Sequence, residues 1–244
     1  MLQIIYYFVT LHSYIDKRGI TNVKLLNNKL THFFQNRKDF NMNTELFLIR
    51  HGETEWNKSG RYQGCTDIPL SEKGILQAGL LRDRFQNQFD CLYTSPLSRA
   101  LETAKIIGQG SNIEPIISYP FIEINFGIWE GLNINEIKAQ YPDEFHHWRT
   151  DETIANLMSS EGSIKAASMR AKNEALRLVQ THPGQRILVI GHGGIIKAAL
   201  IGLMDWKMTM YHKFMFGNTS VTKLTFDENL NSIINTINDT SHLY

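Results

Sequence analysis

Leu46-Phe47-Leu48-Ile49-Arg50-His51-Gly52 is a short apolar run that ends in a cation, an imidazole and a glycine. Four consecutive apolar residues leave no polar face, the pattern of a strand buried on both sides within a parallel sheet. The arrangement returns in Ile187-Leu188-Val189-Ile190, which runs into Gly191-His192-Gly193-Gly194. A third buried run is Cys91-Leu92-Tyr93-Thr94, followed by Ser95-Pro96.

Helical patterns separate these strands. Ser71 is expected to cap a helix with Ile75, Ala78, Phe85 and Phe89 on its buried face. Ser95-Pro96 reads as the cap and first residue of a second helix, which runs through Ala104, Ile106 and Ile107. Ile164, Ala167, Ala171, Ala175 and Leu178 mark a long helix that stops at His182-Pro183-Gly184, and another is expected from Ile195. Val221 to Phe226 alternates like an edge strand, and Asn229 marks a turn before Ser232–Ile237. Strands alternating with helices predict an α/β fold, a three-layer α/β/α sandwich around a mainly parallel central sheet. Residues 131–160 mix aromatics, charges and short helical stretches, and read as an inserted cap beside the site.

Residues 1–41 differ from the rest of the chain. They open on an apolar run, Met1 to Val9, and then turn polar and rich in Asn and Lys. The run is far shorter than the ~20 residues of a membrane helix and lacks the flanks of a secretory signal. The segment is read as a poorly ordered N-terminal extension, with the domain itself spanning 42–244. A formal net charge of +1 gives no broad electrostatic basis for binding nucleic acid or an acidic membrane. Two cysteines cannot build a disulfide framework, so the cytoplasm is the expected compartment. Oligomeric state is not legible.

Chemistry concentrates at the strand ends. Ligands of open α/β sheets bind outside the carboxyl ends of the strands, so His51 and His192 are expected to face one crevice. Arg99 falls in the first turn of a helix that follows a strand, where free N–H groups and the dipole already favour an anion. Arg50 would be a second planar clamp for phosphate oxygens. Two imidazoles and two guanidinium groups together describe a phosphate pocket. Rival chemistries fail on spacing. A cysteine-based phosphatase needs arginine six positions beyond its nucleophile, where this chain has Ser71 and Leu97. No two aspartates stand two residues apart, and neither a P-loop nor zinc-ligand spacing occurs.

Arg50-His51-Gly52-Glu53-Thr54-Glu55-Trp56-Asn57 resembles the opening signature of the histidine phosphatase, or phosphoglycerate mutase-like, superfamily. Four more segments match family motifs in order: Arg61-Tyr62-Gln63-Gly64 with Asp67 to Leu70, Ser95 to Ala100, Glu123 to Gly131, and Gly191 to Gly194. The resemblance implies a phosphoglycerate mutase-like fold and a phosphohistidine formed on His51 without a metal ion or other cofactor. It makes Arg50, Arg99, His192 and Asn57 the surroundings of the transferring group, with Gln63 and Gly64 as further substrate contacts. Glu123 would be the proton donor, kept protonated by burial beside the phosphate. Glu53 and Glu130 would have supporting roles.

The stretch between the Glu123 and His192 motifs is compact, and the tail from Phe216 to Thr222 is most similar to the broad-specificity phosphatase branch. A metal-independent phosphomonoester hydrolase acting on small phosphorylated metabolites is therefore expected. A cofactor-dependent phosphoglycerate mutase, an alpha-ribazole or fructose-bisphosphatase-type phosphatase and a non-catalytic phospho-ligand binder are the alternatives. Two departures bear on specificity. Ser160-Glu161-Gly162-Ser163 replaces a segment ending Gly-Glu-Ser in many relatives, and Lys197 stands where many have arginine.

Overall fold

The structure, a computed structural model, describes residues 43–151 and 163–244. The expected extension and residues 160–162 of the departing segment lie outside them. Among the described residues are six strands: β1 (Thr44–Arg50), β2 (Cys91–Thr94), β3 (Ile116–Ile117), β4 (Arg186–Gly191), β5 (Val221–Phe226) and β6 (Ser232–Asp239). They form one sheet in the order β3-β2-β4-β1-β5-β6. The first four are mutually parallel, while β5 and β6 run antiparallel. The two-residue strand β3 was not legible in the sequence.

Helices cover both faces. On one side pack α2 (Glu72–Phe85) and α3 (Ser98–Gln109), joining Leu81, Phe85, Ala100, Ala104 and Ile107 to Ile49, Leu188 and Ile190. On the other lie α6 (Ile164–Thr181) and α7 (Gly193–Leu203), which bury Ala167, Ala171, Ala175, Leu178, Ile195 and Ala199 with Leu46, Leu48, Ile187 and Val189. The sheet is therefore the middle of three layers. A one-turn α1 (Glu55–Lys58) follows β1, and α4 (Ile134–Gln140) with α5 (Pro142–Thr150) occupies the segment read as a cap. Among the described residues no helix is long and apolar enough to cross a membrane.

Several boundaries move, each for a physical reason. Ser71 caps α2 as expected, its side chain accepting from Gly74 N, but Ile75 is 49 % exposed. The buried face runs through Gly74, Gln77, Ala78, Leu81 and Phe85, so Ile75 lies about 100° away from it. Helix α3 begins at Ser98 rather than Pro96, with Leu97 at its N-cap. Its acceptor comes from a distant loop, because Asp67 Oδ1 receives Ser98 N–H at 2.8 Å and Ser98 Oγ–H at 2.7 Å. Ser95 is then free for another partner. Helix α7 starts at Gly193, two residues before Ile195, since a carboxylate from elsewhere caps it too. Finally, β5 is not an edge strand. It pairs with β1 and β6, and its alternation reflects one partly solvated face rather than a missing neighbour.

Candidate active site

Strand register assembles the site. In the parallel β1–β4 pair Arg50 lies opposite Gly191, so the next residues, His51 and His192, emerge side by side. His51 N–H donates to Gly191 O at 3.0 Å, and the two imidazole centroids are 5.1 Å apart. On the far side of β4, Thr94 pairs with Ile190, and Ser95 N–H donates to Ile190 O at 2.9 Å. Three strand ends thus meet at one crevice, a cleft of about 450 Å³. Arg50, His51, Asn57, Gln63, Gly64, Arg99 and Glu123 line it. His192 does not. It lies fully buried behind Arg99.

The two histidines have different hydrogen-bond environments. His51 is 2 % exposed, with Nδ1 2.6 Å from its neighbour's carbonyl, Gly52 O. A carbonyl only accepts, so Nδ1 carries the proton and Nε2 keeps the lone pair. Burial, then the charges of Arg99 and Arg50, holds His51 well below the usual histidine range, against a smaller upward pull from Gly52. For His192 the tautomer is opposite. Arg99 Nε–H donates to its Nδ1 at 3.2 Å, so Nε2–H donates to Ser95 Oγ at 2.7 Å. Burial and the same arginines keep this ring neutral as well.

Arg99 is completely buried among acceptors: Nη1 donates to Thr66 O at 2.8 Å and Nη2 to Gly64 O at 2.7 Å. With the bond to His192, three of its five N–H groups are engaged, leaving two for an anion. Arg50 donates from Nη1 to Phe216 O at 2.6 Å, and its buried Nε has no hydrogen-bond partner among the described residues. Burial beside Arg99, opposed by Glu123, draws Arg50 down to about 10, so it stays charged at neutral pH.

Glu123 is 8 % exposed and is the one carboxylate among the described lining residues. Its oxygens accept from Ile124 N (2.9 Å), Gly194 N (2.9 Å) and Ile195 N (2.7 Å). The last two are orphan donors of the α7 N-terminus, where a negative group is favoured. Gly194 is required for this approach, since a Cβ there would stand 2.6 Å from Glu123 Oε1. The sequence reading rested on burial beside the phosphate; these main-chain donors were not legible in it. Arg170, on α6, fixes the segment before it by donating to Pro120 O, to Ile122 O at 2.7 Å and to Glu123 O at 3.2 Å.

Asn57 caps as well as lines the cleft. Its Oδ1 accepts from Thr54 N–H at 3.2 Å and from Asn218 Nδ2 at 3.0 Å. Asn218 Nδ2 also reaches His51 O at 3.3 Å. Gln63 is buried, and its Oε1 has no partner among the described residues. Cys65 donates to Glu123 O at 3.5 Å, and burial with Glu130 pushes its thiol up to about 11, so a reactive thiolate is disfavoured. Among the described residues no group of three or more His, Cys, Asp or Glu is placed to hold a metal ion.

Glu130 acts through the loop that holds Arg99. It accepts from Cys65 N (2.9 Å), Thr66 N (3.0 Å), Thr66 Oγ1 and Phe126 N (3.1 Å). Gly64 sits in that loop at φ +54°, and a Cβ there would overlap the Glu130 carboxylate. Glu130→Gln places an NH₂ group against N–H donors and should release the loop. A loss of about tenfold to a hundredfold in kcat/KM is expected, the scale of a small misplacement of a clamping group. Orthovanadate inhibition should weaken in parallel; unchanged inhibition would contradict the link to Arg99. Spacing alone did not reveal the partner roles of Ser95 and Arg170. Each became visible only once strands and helices were packed.

A sequence profile of the histidine phosphatase superfamily (branch 1) matches residues 46–240. Phosphoserine phosphatase 1 of Hydrogenobacter thermophilus is 32 % identical over 200 residues, covering 82 % of this chain and 94 % of that protein. A probable phosphoglycerate mutase of Escherichia coli, GpmB, is 30 % identical with the same coverage, 82 % and 94 %. The crystal structure of an Entamoeba histolytica phosphoserine phosphatase with 3-phosphoglyceric acid superimposes with a TM-score of 0.77 at 37 % identity, covering 82 % of this chain and all of that one. The chain belongs to the histidine phosphatase superfamily. Within it, the chain is a phosphatase, an enzyme of phosphomonoester hydrolysis.

Proposed function

We propose that this phosphatase hydrolyses small phosphorylated metabolites through a phosphohistidine on His51. The observation that carries the reading is the fixed tautomer of His51. Its Nδ1–H is occupied by Gly52 O, and its unprotonated Nε2 belongs to a ring lining the cleft with Arg50 and Arg99. Nε2 attacks phosphorus, the bond to the ester oxygen breaks, and that oxygen leaves with a proton from Glu123, whose carboxylate takes up that proton as the anionic phosphate enters beside it. Water then attacks the phosphohistidine, giving its proton back to Glu123 and releasing inorganic phosphate. Arg50 and Arg99 face the charge spread over the phosphoryl oxygens, where most of the catalysis of such transfers resides. His192 acts by orienting Arg99. No metal ion has a step in this sequence, and the segment 131–160 is read as a cap beside the site, its residues 152–160 lying outside the described residues.

Relatives support a small substrate. The Entamoeba enzyme has been crystallised with phosphoserine and with 3-phosphoglyceric acid. A mutase outcome would need the phosphoryl group returned to a sugar acid, and the compact segment between the Glu123 and His192 motifs argues against it.

Glu123 provides the test of the proton step. Glu123→Gln should lower kcat about 10²- to 10⁴-fold on alkyl phosphates, the range of a positioned general acid. On p-nitrophenyl phosphate, whose leaving group needs no proton, phosphohistidine formation measured in a single turnover should fall much less. Equal losses on both substrates would reject Glu123 as the donor.

A further inference from the structure

A turn that follows β6 reaches the His51 backbone from behind the cleft. His51 O accepts from Thr219 N–H at 3.2 Å and from Asn218 Nδ2 at 3.3 Å. The same loop gives Phe216 O to Arg50 Nη1 and Asn218 Nδ2 to Asn57 Oδ1. Three cleft residues are therefore held by the loop 216–219.

Local chemistry alone does not fix the shape of this loop. Thr219 is fully buried at φ +56°, a left-handed conformation that a β-branched residue keeps only where its surroundings impose it. Strand β6 and the 3₁₀ turn Ser241–Leu243 supply that restraint. Asn238 Oδ1 accepts from Gly217 N–H at 2.7 Å, and His242 Nε2 lies 3.1 Å from Thr219 Oγ1. The Thr219 hydroxyl donates its proton to Asn218 O at 2.7 Å, so towards His242 it accepts, and Nε2 carries the hydrogen. Arg84, on α2, fixes that tautomer, because a guanidinium only donates and its Nη1 stands 3.2 Å from His242 Nδ1. Asp239 in turn accepts from Arg84 Nη2. Burial and the charge of Arg84, opposed by Asp239, hold His242 below the usual histidine range. At pH 7 the ring is the neutral donor that this arrangement needs.

We propose that His242 is a positioning residue for the reaction: through Thr219 it holds the carbonyl of His51 and so aims the imidazole at phosphorus. The other edge of that peptide unit is held by Thr103 Oγ1, which accepts from Gly52 N–H at 3.1 Å. Tilting the unit would displace Gly52 O, the acceptor 2.6 Å from His51 Nδ1. The inference rests on the reading of His51 as nucleophile.

Two amides of different reach test it on the full chain. In His242→Gln the amide nitrogen takes the place of Nε2 and still donates to Thr219. In His242→Asn it stops short, near the place of Nδ1. The readout is phosphohistidine formation from ³²P-labelled substrate in a single turnover, at a temperature where melts show each variant folded. The rate should fall about tenfold to a hundredfold in His242→Asn, the scale of a small misplacement of a reacting group, and be largely recovered in His242→Gln. Thr219→Val, which removes the accepting hydroxyl, should cost a similar factor. The double variant Thr219→Val with His242→Asn should lose no more than either single change, since both break one contact. Equal rates for the two amides, or losses that multiply in the double variant, would overturn the tether. So would a lowered melting temperature with an unchanged rate, the mark of a merely structural role. A wild-type chain that hydrolyses esters without trapping label would reject the reading of His51 instead, and the same comparisons of kcat would then decide the tether.

Discussion

His51→Ala is expected to lower kcat/KM on every phosphomonoester by a factor on the order of 10⁴ or more, the loss typical of removing a covalent nucleophile. Neither His192 nor Cys65, its neighbours among the described residues, can substitute for it. His192 is buried behind Arg99 with both ring nitrogens engaged, and Cys65 is held as a thiol. Rapid acid-free quenching of wild-type enzyme with ³²P-labelled substrate should trap label that is stable to base and lost in acid, as a phosphoramidate is. The alanine variant should trap none. Full hydrolysis by that variant would remove the central assignment.

The same residue fixes the sign of the pH dependence. Burial and the two arginines lower the His51 pKa, so the neutral, nucleophilic ring persists as pH falls through 6.5. The acid limb of kcat/KM, which reports the free enzyme, should therefore lie well below the position of an ordinary histidine. An acid limb centred at 6.5 or above would show that the surroundings of His51 differ from those described.

Arg99→Met should be the second most damaging change. It removes the N–H pair left for the phosphoryl group, and losing a preorganised donor of this kind costs about 10²- to 10³-fold in kcat. It also strands Gly64 O, Thr66 O and His192 Nδ1, so stability should fall by roughly 1–3 kcal/mol for each buried acceptor left unpaired. Arg99→Lys should fare little better on activity, because a single ammonium cannot span the two carbonyls and the imidazole while offering a fork outward. Steady-state kinetics, orthovanadate inhibition and thermal melts separate these effects. Retained vanadate affinity in the methionine variant would contradict the clamp.

Much of this molecule follows from local chemistry. Apolar runs such as Leu46–Ile49 and Ile187–Ile190 can be satisfied only by burial on both faces, so strand identity and sheet class are legible from the chain. Histidine, arginine and glycine at strand ends likewise announce anion chemistry, because that is where backbone N–H groups and space converge. Tertiary structure alone decided the partners. Asp67 caps α3 from a loop, Glu123 caps α7, Ser95 turns to His192, and Glu130 braces the loop that holds Arg99. Those contacts join residues 31, 71, 97 and 65 positions apart, respectively. Hydrogen-bond donors and acceptors are short-ranged and directional, so which distant pair meets depends on register and packing rather than on spacing along the chain.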